Sequence, residues 1–169
     1  YLYVYYNDRD RSAREKKLCV ARARLTEVLQ DASQHQVGKW YKYRDGKWDT
    51  PGLSDRAGTN VVPKLYGNED LHSDAAYCKA LGRYLLTAQT HAANKLLLFS
   101  SADGVNWVQE AVVDTAGKGE MQPYSSFVDF DGPTDDCREV DGHFYIYYPR
   151  KRLDNHELDY MYRRLITIE

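Results

Sequence analysis

A chain of 169 residues with 23 Lys and Arg against 25 Asp and Glu has a formal charge of −2. It therefore lacks the basic excess that nucleic-acid binding needs, and no apolar run approaches the roughly 20 residues of a bilayer span. The length suits one domain with a real core, and 22 aromatic residues, 15 of them Tyr, point to β-structure, a wet recognition surface, or both.

In chain order, LYVYYND (2–8) reads as a strand and KKLCVARARL (16–25) as its partner. The stretch 24–36 follows, with Leu25, Val28 and Leu29 at helical spacing, which predicts a short surface helix. YRDGKW (43–48) places Asp-Gly in a turn with a Trp just beyond it, and SADGVNW (101–107) repeats the pattern. Asp-Gly suits a tight hairpin, because Gly tolerates positive φ and Asp can bond the turn backbone. Two further strand pairs follow: RYLLTAQT (83–90) with NKLLLFSSAD (94–103), and HFYIYYPR (143–150) with LDYMYRRLIT (158–167). Small-residue segments precede both pairs, HSDAAYCKAL (72–81) and PYSSFVDF (123–130), and QEAVVD (109–114) supplies an outer strand.

Four antiparallel strands per 50–60 residues or so is the unit of a β-propeller. The chain thus reads as an all-β partial propeller of about two and a half blades. Residues 1–62 form a partial blade with an insertion, 63–118 a second blade and 119–169 a last one. Opening on Tyr1 inside a strand reads as a cut through structure, and the start gives no guide to compartment. A ring needs about four to eight blades to close, so open edges predict self-association, most simply as a dimer.

Charge is uneven: residues 8–24 hold seven basic and three acidic side chains, and 103–141 hold ten acidic and two basic. Solvated loop faces account for both blocks. Three single cysteines, Cys19, Cys78 and Cys137, make neither a zinc site nor an even disulfide framework. Phosphate-loop, dinucleotide and zinc-protease motifs are absent from the sequence.

The ordered set YLYVYYNDRD, LCVARARL, GKWYKYRDGKWDTPGL, AGTNVV, DLHSDAAYCKALGRYLL, LLLFSSADGVNWVQE, YSSFVDFDG, HFYIYYPR and YRRLITIE resembles the C-terminal half of five-bladed propellers related to glycoside hydrolase family 43. The resemblance implies a carbohydrate-related protein whose acid and base carboxylates, which would act as a pair across the sugar, lie upstream of Tyr1. Catalytic residues are therefore not assigned, and this chain alone is expected to be inactive. The alternative is a non-catalytic binding or assembly module. As the part of the channel wall that remains, the resemblance implies His72, Ser73 and Asp74 on one inner strand, within the titratable run 69–74. It also implies Tyr124, Ser125 and Ser126 opening another, followed by Asp129 and Asp131. The candidate carbohydrate-binding set is His72, Asp74, Tyr124, Ser125 and Asp129. Family members often carry Asn where this chain has Asp74. The same residues equally suit strand-end capping and close inner-strand packing. No cofactor is expected, although a channel cation near His72 would fit the family. Asp8 and Arg9 read as a loop ion pair, and Arg163-Arg164 as carboxylate partners, since Arg forks bind carboxylates in bidentate fashion.

Overall fold

Each tyrosine run forms a strand, because alternating aromatic and aliphatic side chains fill one face of a pleated sheet. The computed structural model describes residues 1–10, 15–63, 72–90, 94–132, 134–155 and 158–168. Two compact units emerge, Tyr1–Asp70 and Leu71–Glu169.

In the first unit β1 (Leu2–Asp10), β2 (Glu15–Ala23), β3 (Tyr41–Arg44) and β4 (Lys47–Pro51) form an antiparallel sheet in that order. Helix α1 (Leu25–Ser33) lies between β2 and β3, where the sequence places it, and buries none of its residues. The core of the unit is Leu18, Cys19, Val20, Ala23, Val61 and Val62. The chain after β4 folds back over β2, with Val61 N–H donating to Leu18 O at 2.9 Å and Leu18 N–H to Asn60 Oδ1 at 3.2 Å. Gly58 makes this approach feasible, since a Cβ there would lie 3.1 Å from that of Cys19. Lys42 is buried and satisfied, donating to Asp8 Oδ2, Ser54 O and Arg56 O at 3.1–3.2 Å. Asp8 is thus an internal partner for a buried cation.

In the second unit β5 (His72–Cys78), β6 (Arg83–Thr90), β7 (Lys95–Ser101) and β8 (Val108–Thr115) form an antiparallel meander. β9 (Glu120–Met121), β10 (Ser126–Val128), β11 (Glu139–Val140), β12 (His143–Arg152) and β13 (Leu158–Thr167) follow. β10, β12 and β13 make one sheet, with β9 against β12. β11 leaves that neighbourhood and pairs in parallel with β5, adding a fifth strand to the meander. A shared core of Cys78, Leu85, Leu96, Leu98, Phe127, Phe144, Ile146 and Tyr148 joins the two sheets. Burying such side chains stabilises by about 1.5–3 kcal/mol each.

The two Asp-Gly sites differ. Asp45 and Gly46, at φ 49° and 81°, make a two-residue hairpin with both central residues left-handed. Asp103-Gly104 lies in a six-residue connection between β7 and β8. There the Asp103 carboxylate accepts the backbone N–H groups of Val105 and Asn106 at 2.9 and 2.8 Å. Trp107 is buried beyond this loop. Trp48 packs on Tyr43 and under the Arg22 guanidinium, at 5.0 and 4.3 Å.

Candidate functional site

The β5–β6 hairpin sets the site. A turn over 79–82 closes it, with Gly82 at φ 61° and its N–H donating to Lys79 O. This turn places His72 opposite Gln89 and Asp74 opposite Thr87. Residues directly opposite in an antiparallel pair share a face, so these four polar side chains lie together at the N-terminal end of β5. The rest of the run, 69–71, lies outside the described residues.

The segment before β10 crosses this face. Ser125 Oγ hydrogen-bonds Thr87 Oγ1 at 2.8 Å, both groups buried. Phe127 N–H donates to Asp74 Oδ2 at 3.0 Å. Tyr124 sits over His72, their rings 4.7 Å apart and tilted by 34°. The expected inner strand is shorter here than the sequence suggests: it starts at Ser126, because Tyr124 adopts φ 58° and breaks the extended run. That left-handed backbone costs an L-residue about 1–2 kcal/mol, and the Tyr124 side chain stays 61% exposed.

Of the five candidate residues, four meet: His72, Asp74, Tyr124 and Ser125. Asp129 is placed elsewhere, accepting the N–H groups of Asp131 and Asp141 at 3.2 and 2.9 Å. It caps a turn. Asp74 is equally committed, its Oδ1 accepting from Ala75 N–H and Arg138 Nη1 at 2.9 Å. With an Arg partner and two backbone donors, this carboxylate is engaged through both oxygens and ties β5 to β10. Neither group offers the uncommitted acid that a glycosidase pair requires.

Gln89 is the residue that sequence reading missed. It is fully buried, and neither its Oε1 nor its Nε2 has a hydrogen-bond partner among the described residues. Leaving such an amide unpaired costs about 1–3 kcal/mol. The signal was there in principle, since counting outward from the 79–82 turn puts Gln89 opposite His72. Among the described residues no group of three His, Cys, Asp or Glu side chains could hold a metal ion.

Elsewhere in this unit Asp114 is buried between cations, with Arg150 Nη2 and Arg164 Nη2 at 3.1 and 3.5 Å. Burial opposes its ionisation, but hydrogen bonds from Arg150 and Gln122 outweigh it and hold its pKa below the ordinary value. Arg164 thus has the carboxylate partner that the sequence suggests, while Arg163 donates to Tyr147 Oη at 3.2 Å. All three cysteines are free, and burial pushes the Cys19 thiol up to about 12.

Compared with known proteins, the chain matches no protein-family model, no curated protein and no solved structure.

Proposed function

We propose that this chain is a non-catalytic carbohydrate-binding piece of a propeller of the glycoside hydrolase family 43 type. One observation carries the binding reading: an exposed tyrosine ring held in a left-handed backbone over a histidine. Strain of this kind concentrates at functional sites, and an exposed Tyr124 recovers little of it by burial. A pyranose or furanose ring offers a C–H face for the Tyr124 ring and hydroxyls for the polar groups around His72, so the aromatic provides one apolar and one wet contact. The committed state of Asp74 and Asp129 favours binding over hydrolysis. Three features support the propeller reading. They are the antiparallel meanders β1–β4 and β5–β8, the recurrence of the tyrosine strand at β1, β6 and β12, and the small residues of β5. It fails if a solved structure stacks the sheets face to face as a sandwich instead of fanning them about an axis.

The test of binding is calorimetric titration with xylo- and arabino-oligosaccharides. Millimolar or tighter binding is expected, weakened about tenfold by Tyr124→Ala. Absence of binding, or affinity indifferent to that substitution, overturns the reading.

A second reading, assembly, is favoured by β13. It pairs with β12 on one side and with no strand on the other among the described residues, and it exposes Tyr160, Met161 and Leu165. A long apolar edge strand is a ready template for another chain.

A further inference from the structure

The first unit holds a cleft of about 470 Å³ between β1 and the segments flanking β3 and β4, within the range of small-ligand pockets. Val4 and Tyr6, two apart on β1, line one side, and Trp40 and Pro51 line another. Gly52 fixes the Trp40 wall. Its N–H donates to Trp40 O at 2.8 Å, and a Cβ at position 52 would lie 3.0 Å from that of Trp40. Val37 and Leu53 form the rim and are 84% and 96% exposed, an unusual state for two aliphatic side chains at the mouth of one cavity.

The polar groups of the lining are few and of one kind. Lys39 is its one charged side chain, and no carboxylate joins it among the described residues. The buried Tyr6 hydroxyl is engaged with Asp8, whose carboxylate is paired with Lys42 at 3.2 Å. Burial, with Cys19 and Asp8 close by, raises its pKa, so it stays neutral. An aromatic-walled cavity whose lining carries one cation and no acidic side chain is complementary to an apolar body carrying an anionic group.

We propose that this cleft binds a small aromatic carboxylate, its ring system between Trp40 and Val4 and its carboxylate toward Lys39. The site lies in a different unit from the carbohydrate cluster and does not rest on that reading.

The test uses the full chain and two probes, 2-naphthoate and its uncharged analogue 2-naphthylmethanol, titrated by calorimetry or amide NMR. The acid is expected to bind roughly fivefold more tightly than the alcohol, the worth of one partly exposed ion pair. Lys39→Glu, on an exposed side chain, should abolish that preference while leaving the alcohol unchanged. Gly52→Val, which displaces Trp40, should weaken both probes, with circular dichroism confirming the fold. Failure of both probes to bind, equal affinity for them, or indifference of the acid to Lys39→Glu each overturns the proposal. Saccharide titration of the same variants separates this outcome from the fate of the Tyr124 site.

Discussion

Asp103 shows how a single carboxylate organises a loop. Burial opposes its charge, but the N–H groups of Asn106 and Val105, the Asn106 amide and the Ser101 hydroxyl outweigh it and lower its pKa to about 2. A depressed folded-state value means that the contribution is present above the unfolded carboxylate range near 4 and is lost as pH falls through 2. Urea denaturation from pH 6 to pH 2 should therefore show wild type losing its advantage over Asp103→Ala on acidification. At neutral pH the variant should be about 1 kcal/mol less stable, for loss of a turn-capping set of bonds. Asp74 organises its surroundings through its hydrogen bonds. Its role as a staple predicts that Asp74→Ala costs about 2–3 kcal/mol, leaving Phe127 N–H and Arg138 without their acceptor. Aryl-pentoside hydrolysis should be undetectable in both wild type and Asp74→Asn; turnover lost in the variant would make Asp74 catalytic.

At the level of elements, the hairpin between β3 and β4 depends on backbone geometry alone. A Cβ on Gly46 meets nothing within 4 Å, so the cost of Gly46→Ala comes from its φ of 81°. About 1–2 kcal/mol should be lost, which thermal melting would register as a fall of several degrees. Gly142, which also meets nothing within 4 Å and lacks a positive φ, is the control: its alanine variant should melt at or above the wild-type temperature. Strand identity was legible because period-two patterning survives tertiary packing, and β1, β6, β12 and β13 lie where the tyrosine runs predict. The helix was legible from three aliphatic residues. What escaped were features decided by distant contacts. The contraction of β10 follows from the turn at Tyr124, and the parallel β11–β5 pair joins segments about 60 residues apart. The aromatic cleft escaped for the same reason, since Val4, Trp40 and Pro51 share no local pattern. Within the site, the residue types were readable but their commitments were not. The Arg138 that occupies Asp74 comes from 64 residues away.

Across the whole molecule, the exposed edge of β13 bears on solution state. Light scattering is expected to give a species about twice the chain mass of 19.6 kDa. Adding a charge on the exposed strand, as in Tyr160→Lys, should shift it toward monomer, because inserted Lys blunts edge pairing. A monodisperse wild-type species at the chain mass rules the assembly reading out.

The parallel strand β11 has a consequence for chain connectivity. Together with Asp74–Phe127, Arg138–Asp74, Ser125–Thr87 and Asp114–Arg150, it fastens the segment after the 117–119 turn to the segment before it. The covalent link through Lys118 is then dispensable once folding is complete. A protease site inserted at Lys118, an exposed position in that turn, should allow cleavage into pieces that co-elute as one particle. Pieces that separate would show that connectivity, and not this stitching, keeps the two sheets together; an intact nicked particle would make the chain a scaffold for fragment complementation.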